Sequence, residues 1–404
     1  MTTEERKRQK AVMIFMFIVA LSGLGLGLSD SIFSVYFREA FGVDAVQRGW
    51  IELPRELPGI LTMFVLSGLA FLGDIRLALV AQALGIIGIL ALGLLSPTFA
   101  WMLPLLFIKS LGAHMFMPLY DSIGMSLAKS GGFGTIMGRF NGVRTAFGML
   151  AAILVLVGFS TGFFSFTTPI VLPFLIAGVM FAGVFVCLLI LRRYTDNTKT
   201  DKPRFVLKKI YTKYYILAML FGARKQIMFV YGPWVLIELL GFGADNMAPI
   251  MIAGSAIGIF FLPMVGKWID KFGTSRIMMV EAGVFILVYF GYGFISAGLN
   301  GGWLMGFAVV GVAVAVNIAD RVTMYFGMVR NVYMRSIAQS PEDVTPTLAT
   351  GMALDHVFSI SSAIICGYLW WELGPQYVFV FAGVLAVGNL IVARSVKKEG
   401  APKN

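Results

Sequence analysis

Long apolar runs dominate this chain of 404 residues and limit what it can fold into. A helix that crosses a lipid bilayer needs about 20 consecutive, mostly apolar residues. A membrane β-barrel shows shorter segments of alternating polarity instead, so continuous runs exclude that class. Only 13% of the residues are charged, whereas soluble globular proteins have about 25%. We therefore predict an all-α membrane protein with twelve spans, at residues 11–36, 46–72, 77–95, 100–127, 138–160, 167–191, 211–240, 247–266, 276–297, 301–328, 346–370 and 374–394.

Lys and Arg are distributed unevenly among the segments that connect these runs. If the N-terminus is cytoplasmic, most of the 32 Lys and Arg residues fall in cytoplasmic segments, and the outer loops contain only Arg38 and Arg48. An excess of positive charge is typical of cytoplasmic loops. We therefore expect a multi-pass protein of the cell (inner) membrane with both termini in the cytoplasm. In this count Arg330 and Arg335 are cytoplasmic-loop residues.

Composition excludes several other kinds of function. The net charge of +11 follows from the topology and does not indicate a nucleic-acid partner. The basic start MTTEERKRQK resembles that of a signal peptide, but the run behind it is too long, and we expect it to be retained. The two cysteines lie inside spans and the chain has only two histidines. We expect no disulfide, metal or cofactor, and we expect a monomer.

The longest polar segment, RRYTDNTKTDKPRFVLKK at residues 192–209, falls between the sixth and seventh spans. It predicts an N-terminal six-helix half at 1–191, a cytoplasmic linker at 192–210 and a C-terminal six-helix half at 211–404. Transporters are commonly built from such paired repeats, with the substrate site near the bilayer midplane.

A short charged stretch, GKWIDKFGTSR at residues 266–276, connects the eighth and ninth spans. It resembles the loop signature of the major facilitator superfamily, G-x-x-x-D-[RK]-x-G-x-x-[RK]. The alternative is an ordinary charged cytoplasmic loop. The matching residues are Gly266, Asp270, Lys271, Gly273 and Arg276.

The resemblance implies a cytoplasmic gate. Gly273 permits a turn with positive φ, and Asp270 can pair across the bundle with basic residues or helix N-termini. The family repeats this loop between the second and third spans. There the sequence reads GLAFLGDIRLALV; it keeps Asp74 and Arg76 with Gly68 or Gly73, and we expect the second glycine to be absent.

Two comparisons with the family concern individual spans. Lys109 in the fourth span stands where the family usually has Arg, and Lys lacks the bidentate fork of Arg. The fifth span contains no proline, whereas drug/proton antiporters have a glycine-proline signature there. This absence argues against drug antiport.

The resemblance further implies that spans 1, 4, 7 and 10 line a central cavity. Ionisable side chains inside a bilayer are costly and usually face a bundle interior or a water-filled cavity. Salt bridges between spans are the alternative for each of them. The predicted substrate-binding residues are Lys109, His114, Arg224, Lys225, Tyr231, Arg321 and Tyr325.

Buried carboxylates beside basic residues are candidates for proton coupling, because desolvation and a cationic partner act on their protonation in opposite directions. The candidates are Asp30, Asp320, Asp355 and His356. Asp30 could instead cap its helix or pair with Arg38, and the others could form a static network. The charges in ELPRELP, namely Glu52, Arg55 and Glu56, favour an extracellular gate or structural network over a binding site.

The function that these features favour is secondary active transport by alternating access. Buried cations favour a small anionic or zwitterionic organic solute, and protons are the expected coupling ion. An exporter of lipids or drugs is the alternative within transport. A membrane-embedded enzyme or a sensor is the alternative outside it, although Asp355 and His356 are the only candidate catalytic pair and point about 100° apart on a helix.

The gate hypothesis predicts a conformational effect of Asp270→Asn. Loss of the carboxylate should favour cytoplasmic opening and impair transport, because the closed face loses a charge pair. Cysteine labelling from the cytoplasmic side and transport in the same preparation measure both effects. Unchanged labelling together with unchanged transport would contradict the hypothesis.

Overall fold

A computed structural model describes residues 3–95, 98–127, 133–166, 170–195, 207–339 and 341–396. These residues are almost entirely helical, and no β-strand occurs among them, so the predicted all-α class is confirmed. The α-helices are α1 (Thr3–Asp30), α2 (Phe33–Phe41), α3 (Ala45–Gly68), α4 (Asp74–Leu94), α5 (Phe99–Ser126), α6 (Phe133–Ser160), α7 (Leu172–Leu191), α8 (Thr212–Trp234), α9 (Ala244–Phe272), α10 (Thr274–Asn300), α11 (Phe307–Thr323), α12 (Met328–Ile337), α13 (Pro341–Glu372) and α14 (Pro375–Ser395).

Within the described residues, 10 helical stretches are long and apolar enough to cross a membrane. One stretch, Thr3–Phe41, combines α1 and α2, and another, Phe307–Ile337, combines α11 and α12. The chain is therefore a multi-pass membrane protein. Helices α3 and α8 correspond to the predicted second and seventh spans, but both carry clustered charges and neither meets the criterion. The count of twelve spans stays a prediction.

The end of α8 departs from regular α-helix just after Gly232 and Pro233. The α-helix continues through Pro233 to Trp234, and a π-helical segment follows at Val235–Leu239. Tyr292 of α10 donates a hydrogen bond to the Gly232 carbonyl oxygen at 3.1 Å. Proline lacks the N–H that would bond to the carbonyl oxygen four residues earlier, and the irregular segment begins just beyond it.

The described residues divide into two compact units. The first comprises those within 1–42, 57–202 and 244–252, and the second those within 43–56, 203–243 and 253–404. The beginning of α3 therefore belongs to the second unit, and the beginning of α9 to the first. The predicted halves, 1–191 and 211–404, differ from these units at both helices. Of the predicted linker, 192–210, residues 196–206 lie outside the described residues.

Close helix contacts in the first unit depend on glycine. Its main packing pairs are α1 with α6 and α7, and α4 with α5 and α7. A Cβ atom on Gly23 of α1 would lie 2.5 Å from the Arg144 carbonyl oxygen of α6. Gly112 of α5 meets the Ala81 carbonyl oxygen of α4 in the same way. Small residues at such crossings allow membrane helices to approach at backbone distance.

The second unit repeats this order of pairing. Its main pairs are α8 with α13 and α14, and α10 with α11 and α14. Gly222 of α8 packs directly against the backbone of Asp355 in α13, at the crossing that corresponds to α1 and α6. The repetition is one of helix packing, since the sequences of the two parts show no clear identity.

The two signature loops have the same backbone conformation. Gly273 precedes α10 with φ 81° and ψ 158°, and Gly73 precedes α4 with φ 74° and ψ 164°. The positive φ predicted for Gly273 is confirmed. The prediction that the first loop lacks the second glycine is wrong, because Gly73 occupies that position. Left-handed φ values favour glycine, since other residues have a Cβ atom that clashes there.

Alignment of the first loop on Gly73 also changes which signature residue this loop lacks. Arg76 follows Gly73 by three residues, as Arg276 follows Gly273. Ala70 then stands where the signature has an aspartate. Asp74 is the first residue of α4 instead, where a carboxylate interacts favourably with the helix dipole.

The described segment before α8 is attached to the start of α13 through Asp343. Lys208 Nζ lies 2.5 Å from Asp343 Oδ1, and the Tyr211 hydroxyl donates to Oδ2 at 2.6 Å. The hydrogen bond from Lys208, followed by that from Tyr211, lowers the pKa of Asp343 below its ordinary value of 3.8. The same contact with Asp343 raises the pKa of Lys208.

This attachment predicts a pH-dependent contribution to stability. Because the pKa of Asp343 is lower in the folded protein, its contribution is present above pH 4 and decreases as the pH falls below about 4. Asp343→Asn should lower the thermal midpoint at neutral pH, and its difference from wild type should shrink in acid. Glu372→Gln, at the exposed end of α13, is the control. A difference that stays constant from pH 7 to pH 3 would contradict the assignment.

Candidate functional site

Two arginines and one glutamate form an ion cluster inside the second unit. One oxygen of Glu281 in α10 lies 2.6 Å from Arg224 of α8 and 2.9 Å from Arg330 of α12. The side chains of Arg224 and Glu281 are 0% exposed. Charges withdrawn from water are costly unless they are paired. The three helices therefore depend on one another for compensation of these charges.

Phenylalanine rings cover the two guanidinium groups of this cluster. Arg224 Cζ lies 3.4 Å from the ring centroid of Phe285, and Arg330 Cζ lies 3.4 Å from that of Phe221. Cation–π contacts of this kind are favourable, most of all when desolvated. The geometry favours a structural role for Arg224. Its role in substrate binding stays a prediction.

Glu281 was not among the residues predicted from the sequence, and Arg330 and Arg48 were predicted to lie in loops. Glu281 is a lone carboxylate in the apolar run MMVEAGVFILV, and the cost of intramembrane charge marks such a residue as functional. Arg330 was placed in a loop because the predicted tenth span ended too early; it lies buried in α12. Arg48 is likewise buried in α3, where it lies 2.5 Å from Glu52.

Hydrogen bonds connect Arg321 of α11 to the irregular end of α8. Arg321 Nε donates to Asn317 Oδ1 at 3.1 Å, and Asn317 Nδ2 donates to the Tyr292 hydroxyl at 3.1 Å. Tyr292 in turn bonds the Gly232 carbonyl oxygen. The side chain of Arg321 packs against Gly254 of α9. Among the described residues, only one of the three guanidinium nitrogens makes a hydrogen bond.

Asp320, beside Arg321 in sequence, is buried with an unused hydrogen-bonding atom. It is 6% exposed, and its Oδ1 atom has no hydrogen-bond partner among the described residues. The charges of Arg224 and Arg321 act on this carboxylate. An ionised carboxylate with too few donors is unfavourable in an apolar interior. Asp320 can therefore accept a proton or a donor group.

Asp355 and His356 have different partners although they are adjacent on α13. Lys225 Nζ of α8 lies 2.6 Å from Asp355 Oδ1, to which Ser359 also donates at 3.2 Å. His356 Nδ1 lies 2.8 Å from Glu56 Oε2 of α3. The two side chains do not form a catalytic pair, because they point to different neighbouring helices.

The charged side chains at the beginning of α3 form a continuous series of contacts within the second unit. Arg48 and Arg55 both contact Glu52, at 2.5 and 2.6 Å, and Arg55 also lies 2.9 Å from Glu56. The Gln226 amide of α8 donates to Glu52 as well. Together with the Glu56–His356 contact, this series of contacts connects the beginning of α3 to α8 and α13.

The two predicted binding tyrosines pack inside the second unit. Tyr231 is fully buried, and its hydroxyl lies 2.6 Å from the Ala363 carbonyl oxygen and 3.3 Å from that of Ala45. Tyr325 packs its ring against Gly258 of α9. These contacts favour packing roles, and their substrate role stays a prediction.

In the first unit, Lys109 and His114 have neighbours on α1, α2 and α5. Lys109 Nζ lies 2.7 Å from Asp30 Oδ1 and 4.8 Å from the ring centroid of Phe33. Asp30 therefore pairs with Lys109. The alternative considered from the sequence was a pair with Arg38. His114 Nδ1 lies 2.9 Å from the Ser110 carbonyl oxygen, one turn earlier on α5.

The predicted gate residues differ in exposure. Asp74 is buried and accepts a hydrogen bond from Ser122 at 2.5 Å. Arg76, Lys271 and Arg276 are exposed. Gly266 lies inside α9, and the side chain of Asp270 lies outside the described residues. A latch at this loop stays a prediction.

A family model described as Major Facilitator Superfamily matches residues 15–341. The chain belongs to the major facilitator superfamily. The resemblance inferred from residues 266–276 is thus confirmed, and the chain is a transporter rather than an enzyme. No curated protein matches the chain.

Solved transporter structures have a similar fold. The nucleoside transporter NupG superposes with a TM-score of 0.73 at 14% identity, over 96% of this chain and 100% of that one. A POT family transporter in complex with 5-aminolevulinic acid gives 0.76 at 13% identity, over 96% and 95%. A bacterial homologue of the iron transporter ferroportin gives 0.62 at 14% identity, over 94% and 98%. At these identities the likeness concerns the fold alone.

The different surroundings of Arg224 and Arg321 predict different effects of neutralisation. Arg224→Gln should reduce folded yield and thermal midpoint, because breaking a buried pair costs about 3–5 kcal/mol. Because Glu281 keeps its contact with Arg330 in this variant, we expect a loss near the lower end of that range. Arg321→Gln should leave both nearly unchanged, since no described carboxylate forms an ion pair with Arg321. Size-exclusion yield and thermal unfolding in detergent measure both, and equal losses in the two variants would contradict the distinction.

Proposed function

We propose that the protein is a secondary active transporter that moves a small organic solute with an anionic group, by alternating access coupled to protons. The solute class includes anions and zwitterions. The observation that carries this proposal is the environment of Arg321, a partly buried cation whose terminal nitrogens have no partner among the described residues.

Four other cations inside the helices support this choice by contrast. Arg224, Arg330, Lys225 and Lys109 each have a carboxylate oxygen within 3 Å. Their charge is already compensated, whereas among the described residues Arg321 makes a hydrogen bond only to the neutral Asn317. An arginine fork matches a carboxylate in bidentate geometry, and such charge-assisted hydrogen bonds are strong. Arg321 is therefore better prepared than these four cations to bind an anionic group from solution.

Asp320 supports the coupling part of the proposal. Its unpartnered oxygen lies in a buried site next to Arg321 in sequence. An anion bound to Arg321 would add a negative charge close to this carboxylate, and protonation of Asp320 would relieve the repulsion. Uptake of solute and proton would thus favour each other. Asp355 and Asp30 are already paired with lysines, which makes them reserve candidates.

We further propose that α3 and α8 are membrane spans, which brings the number of spans to twelve. Their charges are largely compensated inside the second unit, through the contacts of Glu52, Glu56, Glu281 and Asp355. Paired charges can lie at membrane depth when they face a bundle interior. The excess of Lys and Arg in alternate loops supports a cytoplasmic location for both termini.

Accumulation in proteoliposomes tests this function. A thermal-shift screen of organic anions, zwitterions, sugars, amphiphiles and cations first selects a solute, since a ligand that binds the folded state raises its apparent stability. We expect an anion or zwitterion to be selected and to accumulate when a pH gradient is imposed without sodium. Asp320→Asn should abolish the response to the gradient, and Arg321→Gln should weaken binding of the solute.

Arg335→Gln, on the exposed face of α12, is the matched control for charge removal and should behave like wild type. Accumulation that ignores the pH gradient, or that survives in Asp320→Asn and Asp355→Asn alike, would contradict proton coupling. Selection of neutral or cationic solutes alone would contradict the proposed solute class.

A further inference from the structure

A cavity with several polar residues in its wall lies inside the first unit, whereas Arg321 and Asp320 belong to the second. It has room of about 40 Å³ for water-sized molecules. Helices α1, α4, α5, α6 and α7 all contribute to its wall. Its polar lining consists of Ser22, Gln82, Lys109, Tyr120 and Arg144. One water needs about 10–15 Å³ on this measure, so the cavity holds a few waters or a small organic group.

Two hydroxyl groups of the lining have no partner. Ser22 and Tyr120 are each 3% exposed, and neither Ser22 Oγ nor the Tyr120 hydroxyl makes a hydrogen bond to any described residue. Buried polar groups normally have a partner, and leaving one unpaired costs about 1–3 kcal/mol. Both groups belong to residues that line the cavity, so an occupant with acceptor oxygens could supply their missing partners.

The charges around the cavity favour an occupant that accepts hydrogen bonds. Lys109 is paired with Asp30. Arg144 forms no ion pair with a described residue, and its Cζ atom lies 5.6 Å from the ring centroid of Tyr120. Asp121, an exposed residue outside the lining, interacts electrostatically with Arg144. The lining itself contains two cations and no carboxylate.

The remainder of the wall is apolar. Leu26, Phe116 and Phe181 close the cavity beside the polar groups. Arginine, two hydroxyls and the Gln82 amide can donate to the oxygens of one carboxylate, while the apolar wall can cover a short hydrocarbon chain. An inorganic oxyanion would leave this wall without a matching surface.

We propose that this cavity is a binding site for the carboxylate end of a small monocarboxylic acid, with Arg144 as the charge partner and Ser22 and Tyr120 as hydrogen-bond donors. The inference rests on the proposed function in one respect, that the bound acid is a transported solute. Binding itself is tested separately from transport. Arg144, Ser22 and Gln82 were not among the candidate residues predicted from the sequence.

Thermal unfolding of the purified full-length protein with propionate or propionamide tests the site. The two probes have nearly the same shape, and only propionate is charged. We expect propionate to raise the midpoint and propionamide to have little effect, because only the anion pairs with Arg144. Arg144→Gln should weaken propionate binding about tenfold, the typical loss for one hydrogen bond to a charged group.

Two milder variants keep the test decisive if Arg144→Gln folds poorly. Ser22→Ala and Tyr120→Phe should keep or raise the midpoint without ligand, because each removes an unpartnered buried hydroxyl. Both should nevertheless reduce the shift caused by propionate. Arg139→Gln, exposed on the same helix α6, is the matched control and should retain the wild-type shift.

The outcomes separate this inference from the proposed function. No propionate shift in wild type, or an unchanged shift in Ser22→Ala, Tyr120→Phe and Arg144→Gln, would overturn the site. A shift that depends on these residues supports the site even if propionate does not accumulate in proteoliposomes. In that case only the proposal that this acid is transported fails.

Discussion

The cost of an unpaired charge in apolar surroundings governs much of this structure. Glu281 lies fully buried between Arg224 and Arg330, and Lys225 and Lys109 each contact a carboxylate from another helix. Because an uncompensated buried ion costs several kcal/mol, helices that carry such charges must pack where a partner is available. The ion pairs thus fix which faces of α8, α10, α12 and α13 meet.

Glycines make these pairings geometrically possible. Gly23 meets the backbone of α6, and Gly222 meets that of α13, at corresponding crossings of the two units. Close approach shortens the reach that an ion pair has to span, and Lys225 contacts Asp355 at the crossing where Gly222 packs. Packing and electrostatics therefore support each other, and the recurrence of the same helix pairs in both units has a common physical basis.

The functional hypotheses arise where this compensation is incomplete. Arg321 and Asp320 in the second unit, and Arg144 with Tyr120 in the first, retain atoms without a partner among the described residues. A transporter has to bind its solute and later release it. Groups that are held in position without an ion-pair partner can exchange a solute or a proton for water at moderate cost, whereas the charges of Arg224, Arg330 and Glu281 already compensate one another.

The sequence by itself determined the all-α membrane class, the superfamily and the conformation of Gly273, because apolar length, spacing and glycine geometry are local properties. It also identified most of the charged residues that matter. The tertiary structure decided which of them are paired: Arg224 with Glu281, Asp30 with Lys109, and His356 with Glu56. It also showed that Gly73 is the second glycine of the first loop and that Arg330 is buried. Partners up to 300 residues apart in the chain leave no periodic signal in a single sequence, so only the packing of the helices reveals them.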